Sequence, residues 1–490
     1  MPPSTSMGAP RRRTTRSIFG PNGHLWIPGV RSFFADYDDL FDVGVRSADT
    51  QDNARSYVHS LFLKGERKSM EPLARRVPDS GPDRFQNFIT YSPWDWEAVQ
   101  ERTIALMAPL FADPWGLIAL DDTAFPKQGS ESVGVASQWC GTRGKTANCQ
   151  VGVSAQYIQP GVLFSPDLSS FPLGMRLYLP KERAEDPAHR EKCGVPPEIE
   201  FQEKWRIALG LIERVRRLQV PHLAIVADAD YGRSGEFRRQ LRTWDEKYVL
   251  GVQPENCQVL PLGEGWRGQQ GQMLTPRSCA EIARKVPPSQ WQRVYWSTGA
   301  DGPMYVEANH TRAVVCEDGE PTDEEVWVVF ERRDNETKAY LAWGVDDLTV
   351  QGHVRLIRGR WPIEQSYEQM KEELGLDHFE GRSWLGWHHH VTMVMMAYAF
   401  LMKERAQRAI SGKGTTKGRQ LPTIPQVRIW LQVAVAIRIL RMADEAPTPE
   451  ERRRLLAYLF QMLDLPIRAE EGGYRGLSLE ELPKWLGLTS

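Results

Sequence analysis

The sequence predicts an α/β fold, and three stretches of the chain carry that prediction. Residues 115–123 and 222–232 are short apolar runs that each contain a pair of aspartates near the end. Runs of this length are typical of strands that are buried on both faces of a sheet. Residues 358–375 are instead rich in helix-forming residues, with Pro362 near the start and Gly375 at the end, as helix termini prefer. Buried strands that alternate with helices indicate an α/β architecture.

The composition is that of an ordinary soluble protein. The chain has 490 residues, of which 41% are hydrophobic and 25% charged, enough for about two to four domains. The most apolar run, residues 391–402, is shorter than the roughly 18 residues that a membrane helix needs. The arginine-rich N-terminus is not followed by the apolar segment of a secretion signal. Six scattered cysteines without a Cys-x2-Cys pair indicate reduced thiols, so we expect a cytoplasmic protein that binds no membrane.

Charge is distributed unevenly along a chain whose net charge is only −2. Residues 1–20 hold four arginines and no acid, and residues 402–419 hold six cationic residues and one acid. Basic clusters on a nearly neutral protein are consistent with a DNA contact. A solvated, disordered tail explains residues 1–20 equally well.

The order of the predicted elements begins with an irregular arm, residues 1–50, followed by a helical region, residues 51–111. Ser92 and Pro93 predict a helix start, with serine as N-cap. Further strands are predicted at 149–159, 174–179 and 247–252, and helices at 201–218 and 232–244. Between the first two strands, residues 125–150 indicate a loop or twisted hairpin that contains Lys127, Arg143 and Lys145. These cations suggest phosphate contacts, although a plain connector explains the segment equally well.

The predicted strands and the helix at 358–375 bring carboxylates together. Sites in open α/β sheets form at the carboxyl ends of strands, where both pairs of aspartates lie. Strand alternation places Asp121 and Asp122 on opposite faces, so at most one of them points into such a site. One helix face carries Arg360, Glu364, Tyr367, Glu368 and Lys371. This face is either a solvated surface with ion pairs or the source of a third carboxylate.

Three converging carboxylates predict a particular chemistry. Close carboxylates raise one another's pKa unless a cation neutralises them. Oxygen ligands without cysteine or histidine favour Mg²⁺ or Mn²⁺. A set of this kind is typical of two-metal phosphodiester chemistry.

These three segments resemble the DDE transposases of bacterial insertion sequences. The resemblance extends from about residue 57 to about residue 401 and is closest to the cut-and-paste group with a Tyr-x2-Arg-x3-Glu-x6-Lys signature. Arg360, Glu364 and Lys371 fit that spacing, whereas the tyrosine position is occupied by Ile357. The resemblance implies an α/β fold with an RNase H-like catalytic core and a mainly β insertion, flanked by helical N- and C-terminal regions.

The resemblance also implies the roles of individual residues. Asp122, which is followed by threonine, would join Asp228 and Glu364 as the catalytic carboxylates that hold two Mg²⁺ (or Mn²⁺) ions, with Asp121 as the alternative to Asp122. DNA-binding roles would fall to Arg360, Lys371, Lys127, Arg143 and Lys145. The implied partners are DNA, as element terminal inverted repeats and target DNA, and a second copy in a homodimer on DNA. The implied location is the bacterial cytoplasm, associated with the nucleoid.

The resemblance further implies a domain organisation. The predicted segments are an N-terminal arm (1–50), a DNA-end-binding helical domain (51–111), the core (112–252 and 348–402), the insertion (253–347), and a basic linker with helical C-terminal region (403–490). In the insertion, strands at 326–330 and 338–345 form an expected antiparallel pair. The Gly-x-Gly-x-x-Gly match at 263–268 is not followed by a helix, which excludes a dinucleotide fold.

Two features near the C-terminus have structural as well as functional interpretations. Adjacent histidines on a helix point in different directions, so residues 388–390 are expected to pack in the core or contact phosphate rather than bind a metal. Residues 426–443 and 449–463 predict amphipathic helices, with a further helix at 477–486. This region would serve dimerisation or DNA binding.

The function expected from the sequence is that of an insertion-sequence transposase. It would cut DNA at each element end and join the freed 3′-OH to target DNA. One alternative is a catalytically silent, transposase-derived DNA-binding protein, for which Ile357 is the only hint and against which the intact carboxylate set argues. Another is a metal-free enzyme such as a glycoside hydrolase, which needs only two acids. The basic residues around Glu364 argue against that enzyme.

Overall fold

The computed structural model describes most of the chain. The described residues are 30–41, 47–65, 67–77, 82–159, 170–262, 275–299, 302–333, 336–411 and 422–463. Four predicted features lie wholly or mostly outside them: the basic arm at 1–20, the glycine motif at 263–268, the linker at 412–425 and the helix at 477–486. The bounds of the predicted domains stay predictions.

Helices precede the first strand, but they begin at Val30, within the 1–50 arm that was predicted to be irregular. They are α1 (Val30–Ala35), α2 (Ser47–Phe62), α3 (Met70–Arg75), α4 (Pro82–Thr90) and α5 (Trp96–Phe111). The predicted N-cap Ser92 is wrong, because Asp95 caps α5 by accepting hydrogen bonds from the backbone N–H groups of Glu97 and Ala98. Ser92 instead donates its hydroxyl to the carbonyl of Asn87. A carboxylate at the N-cap gains from the helix dipole as well as from these hydrogen bonds.

The central sheet begins with six strands, of which the first four precede three helices and the last two follow them. In chain order they are β1 (Leu117–Pro126), β2 (Ala136–Cys140), β3 (Lys145–Ile158), β4 (Ser170–Tyr178), α6 (Lys181–Ala184), α7 (Pro187–Cys193), α8 (Lys204–Arg217), β5 (Ala224–Ala227), α9 (Ala229–Gly232), α10 (Gly235–Thr243) and β6 (Tyr248–Val252). Strand β3 lies antiparallel between β4 and β1, and β1, β5 and β6 run parallel. The α/β prediction is therefore confirmed, and the parallel strands place the ends of β1 and β5 at one edge.

The predicted insertion continues this sheet. Its elements are β7 (Gln258–Pro261), β8 (Arg277–Ser278), α11 (Cys279–Lys285), β9 (Gln292–Gly299), β10 (Gly302–Glu317), β11 (Glu320–Arg333) and β12 (Glu336–Trp343). The predicted antiparallel pair is confirmed as β11 with β12. Strand β12 also pairs with β6, so one twelve-stranded sheet runs through the core and the insertion in the described part of the chain.

The helix predicted within residues 358–375 is confirmed, and a second helix precedes it, separated from it by a short break. They are α12 (Val350–Arg358) and α13 (Pro362–Leu374). Pro362 occupies the first turn of α13, and Gly375 ends it with a φ of 72°, which confirms both predicted ends. Tyr367, which was predicted on the charged face, is buried. Helix α13 contacts β1, β3 and β4 and therefore lies on the sheet.

The remaining helices build a core beside the sheet. They are α14 (Trp384–Ser411), α15 (Ile424–Asp444) and α16 (Pro449–Met462). Helix α14 contacts β4 together with α2, α4, α5, α13 and α15. Among the residues that the structure describes, we find no helix with the length and apolar character needed to cross a membrane.

The three histidines at the start of α14 are core residues. His388 accepts a hydrogen bond from the backbone N–H of Leu177, His389 contacts the carbonyls of two residues in the α4–α5 region, and His390 contacts the carbonyl of Gly375. All three side chains are buried. Their burial confirms the prediction of core packing.

Burial of these histidines predicts loss of stability in acid. It lowers the pKa of His388 to about 3 and of His389 and His390 to about 4, against an ordinary value of 6.5. The unfolded chain therefore binds more protons below pH 6.5, so stability is complete above that pH and is lost as pH falls toward 4. We expect each histidine to cost about 2 kcal/mol by about pH 5. Urea unfolding at pH 7 and pH 5 measures this loss.

The matched variant is His388→Gln, whose amide can still accept from Leu177 and donate to the carbonyl of Trp384 but does not titrate. Its stability should fall less steeply between pH 7 and pH 5 than that of the wild type. Equal slopes for both proteins would contradict a buried neutral histidine at this position.

Candidate active site

The parallel pairing of β1 with β5 places two aspartates side by side. Ala119 is opposite Val226, and extending this register by two residues sets Asp121 beside Asp228. Neighbouring residues in parallel strands project on the same face of a sheet. Asp228 follows the last residue of β5 and caps α9 by accepting the backbone N–H of Asp230 at 3.0 Å.

A glycine allows α9 to lie directly on the sheet behind Asp228. A Cβ atom on Gly232 would come within 1.9 Å of the carbonyl oxygen of Gly251 in β6. Because that neighbour is backbone, a side chain at this position would push α9 away from the strand. The glycine therefore helps to hold Asp228 at the edge of the sheet.

Arg360 connects the strand carboxylates to the helix carboxylate. Its Nη1 atom lies 2.5 Å from Asp121 Oδ2, and its Nη2 atom lies 2.6 Å from Glu364 Oε1. Arg360 sits in the break between α12 and α13, and Glu364 lies in the first turn of α13. The structure thus brings Glu364 to the edge of the sheet where Asp121 and Asp228 lie.

Burial of this cluster shifts its ionisation. It raises the pKa of Asp121 to about 7, with Arg360 opposing the shift and Asp228 adding to it. Burial likewise raises the pKa of Asp228, again opposed by Arg360. Burial alone would lower the pKa of Arg360, but Asp121, Glu364 and Asp228 together raise it above its ordinary value. The guanidinium therefore supplies the positive charge that close carboxylates require.

Asp122 points to the other face of β1, as strand alternation requires. Its Oδ2 accepts a hydrogen bond from Lys204 Nζ at 2.7 Å, and Lys204 is the first residue of α8. Asp122 nevertheless adds to the raised pKa of Asp228, so it remains within electrostatic reach of the site. The sequence indicated that only one of the two aspartates enters the site, and the contact with Arg360 favours Asp121 over the expected Asp122.

The predicted DNA-binding residues fall into three groups. Arg360 lies within the carboxylate cluster, as described. Lys371 donates to Thr123 Oγ1 at 2.8 Å and to the carbonyl of Ala124, and Lys127 donates to the carbonyl of Phe379, so both lysines contact protein near the end of β1. Residues 143 and 145 are exposed at the tip of the β2–β3 hairpin.

Two tyrosines approach the carboxylates, and the sequence indicated neither as a site residue. Tyr367 Oη lies 2.5 Å from Ser154 Oγ, opposite Asp121 on β3. Tyr231 is buried, and its hydroxyl has no hydrogen-bond partner within the described residues. Burial and the nearby aspartates raise the pKa of Tyr231 well above its ordinary value. Ile357, at the signature tyrosine position, is buried in α12 and supplies no hydroxyl.

The donor atoms suit a hard divalent cation. Asp121, Asp228 and Glu364 offer carboxylate oxygens, the ligand type that Mg²⁺ and Mn²⁺ prefer. Within the described ranges, no three acidic, histidine or cysteine side chains converge as an ion-binding group, and Arg360 lies between Asp121 and Glu364. The chemistry of the donors therefore fits such an ion, and Arg360 contacts two of the three carboxylates.

A mixed sheet with carboxylates just beyond the parallel pairing of two adjacent strands, and a further carboxylate on a facing helix, is the arrangement of an RNase H-like core. A family model described as DDE superfamily endonuclease matches residues 40–303, more than half of the chain. The chain belongs to this family. The matched segment includes Asp121, Asp122 and Asp228, while Glu364 lies beyond it.

One curated relative adds a more specific likeness. It is a probable transposase for insertion sequence element IS701 from Microchaete diplosiphon, 26% identical over 211 residues. The aligned segment covers 42% of this chain and 51% of that relative. The chain thus matches about half the length of this relative.

Proposed function

We propose that this protein is the transposase of a bacterial insertion sequence, which cuts DNA at the element ends and joins the freed 3′-OH to target DNA. The observation that carries the proposal is the contact of Arg360 with both Asp121 and Glu364, at the edge of the sheet where Asp228 lies beside Asp121. Membership of the endonuclease family and the likeness to a probable transposase support it.

In this proposal Asp121, Asp228 and Glu364 hold two Mg²⁺ or Mn²⁺ ions. Such ions, when bound, activate the attacking oxygen and stabilise the leaving oxygen of a phosphodiester. Asp121 takes the role expected of Asp122, because Asp121 shares Arg360 with Glu364. Asp122 and its partner Lys204 then support β1 from the opposite face.

The cations around the carboxylates position DNA. Arg360 presents a planar fork that suits a phosphate as well as a carboxylate. Lys371 and Lys127 lie at the end of β1, where their charges favour the backbone of DNA entering the site. We further propose that residues 51–111 recognise the inverted repeats, that a homodimer assembles on DNA, and that the protein works at the nucleoid.

The test is strand cleavage of DNA that carries the gene's own flanks, in Mg²⁺ or Mn²⁺. We expect the wild type to cut at discrete flank positions and Glu364→Gln to bind the same DNA without cutting, because the amide removes the anionic ligand but keeps the side chain's shape. Chelation with EDTA should stop the wild type. Cleavage retained by a clean Glu364→Gln preparation would refute the assignment of Glu364.

A catalytically silent DNA-binding protein is the second candidate. The buried Ile357 at the signature tyrosine position is the observation that favours it. Specific binding of the flanks by the wild type, without cleavage in either metal, would support this candidate over the transposase.

A further inference from the structure

The β2–β3 hairpin projects beyond the edge of the sheet where the carboxylates lie. Strand β1 ends at Pro126, opposite Cys149 of β3, while the hairpin continues from Cys149 to its tip at Gly144. Trp139 pairs with Thr146, which lies eight residues along β3 from Ser154, the partner of Asp121. At about 3.3 Å per residue, Trp139 is about 26 Å along the strand from Asp121.

The two faces of this hairpin differ in character. Cys140 and Cys149 are buried in a small apolar cluster with Ala124 and Val151, which anchors one face to β1. On the other face the side chain of Trp139 is exposed, at 63% of its full accessible surface. Large aromatic residues are usually mostly buried. The fold itself therefore does not account for a tryptophan at this position.

The surroundings of Trp139 are cationic. Residues 132–166 contain no acidic residue, and both Arg143 and Lys145 in this segment are exposed at the hairpin tip. Added Cβ atoms at Gly141 or Gly144 would meet no atom within 4 Å, so the tip is open to a ligand. Exposed aromatic and basic side chains together suit a nucleic-acid strand, since the ring stacks on a base and the cations bind phosphates.

We propose that residues 136–148 form a DNA-binding arm in which Trp139 stacks on an unpaired base of the DNA that flanks the cut, while Arg143 at the tip binds an adjacent phosphate. Lys145 is paired with Cys140 and so lies on the other face of the arm, where its charge adds to the attraction for DNA. The ligand is single-stranded because bases inside a duplex have both faces covered by their neighbours. The proposal rests on the proposed function. If the DNA between the cut and the arm is duplex, with a rise of about 3.4 Å per base pair, the stacked base lies about eight base pairs from the cut.

The first test is the affinity of the full chain for a fluorescein-labelled oligothymidylate, measured by anisotropy. We expect Trp139→Ala to weaken binding by about tenfold and Trp139→Phe to keep most of it, because a ring still stacks. Trp115→Ala is the matched control, since Trp115 is also 63% exposed but precedes β1 at the opposite end of the strand. Equal affinities of the wild type and Trp139→Ala would overturn the proposal.

The second test locates the contact. Flank DNA with a single-stranded segment carries 2-aminopurine at successive positions, and quenching by the wild type but not by Trp139→Ala should peak about eight nucleotides from the cut. If Trp139→Ala leaves DNA affinity unchanged but converts a dimer that forms without DNA into monomers, the proposal is overturned, and Trp139 contacts a second copy of the chain. Failure of the wild type to bind or cut any flank DNA would instead refute the proposed function.

Discussion

Asp121→Asn is expected to reduce DNA cleavage by about a thousandfold, whereas Asp122→Asn should retain most of it. Metal-ion stabilisation of a phosphoryl transition state is worth several kcal/mol, and each 1.36 kcal/mol changes a rate tenfold. Asp121 lies beside Asp228 and shares Arg360 with Glu364, while Asp122 binds Lys204 on the other face of β1. Removal of the charge from Asp121 therefore takes an anionic ligand from the proposed site.

Single-turnover cleavage of flank DNA measures this difference, with Asp228→Asn as the control that should match Asp121→Asn. The shift in melting temperature produced by Mn²⁺ provides a second readout that does not depend on cleavage. We expect Asp121→Asn to lose that shift and Asp122→Asn to keep it. If Asp122→Asn lost both cleavage and the Mn²⁺ shift while Asp121→Asn kept them, Asp122 would be the ligand, as expected from the sequence.

Glu324→Ala should destabilise the protein by about 3 kcal/mol. Glu324 lies in β11 and is 2% exposed. Its Oε1 accepts a hydrogen bond from Arg238 Nε of α10 at 2.8 Å and from the hydroxyl of Tyr248 in β6. Loss of the carboxylate leaves Arg238 buried with its nearest counter-ion removed, which is the costly case for an ion pair. Arg238 also donates to the carbonyl of Gly232, so this pair joins the insertion to the helix behind Asp228.

The adjacent residue provides the control. Glu325 pairs with Arg312 at the surface, where its side chain is 49% exposed, so Glu325→Ala should cost less than about 1 kcal/mol. Urea unfolding of the two variants under one set of conditions makes the comparison. Similar losses for both variants would show that the buried pair does not hold the insertion to the core.

Local sequence patterns were sufficient to predict the class of fold and several of its helices and strands. Apolar runs ending in aspartates predicted β1 and β5, because a strand that is buried on both faces is a nearly continuous run of hydrophobic residues. Pro362 and Gly375 predicted the ends of α13, since proline and glycine act through the backbone alone. The N-cap of α5 was misplaced because Ser92, Pro93 and Asp95 offer competing local signals, and only the packing of Trp94 in the core selects between them.

The assembly of the candidate site depended on contacts between distant parts of the chain. Alternation along β1 determined that Asp121 and Asp122 point in opposite directions, but not which of them faces α13. That choice depends on the face of the sheet against which α13 packs. Nor did the sequence indicate that Lys204 binds Asp122, because the two residues are 82 positions apart. Exposure of Trp139 likewise follows from which face of its hairpin packs against β1.

The sequence by itself therefore determined that this is an α/β protein with aspartates at the ends of two apolar runs and a charged helix bounded by Pro362 and Gly375. Only the tertiary structure decided that Arg360 joins Asp121 to Glu364, that the histidines at 388–390 lie in the core, and that the insertion extends the central sheet. The physical reason is the distance along the chain over which each effect acts. Backbone preferences and periodicity act over a few residues, whereas charge pairing and burial depend on which surfaces the folded chain brings together.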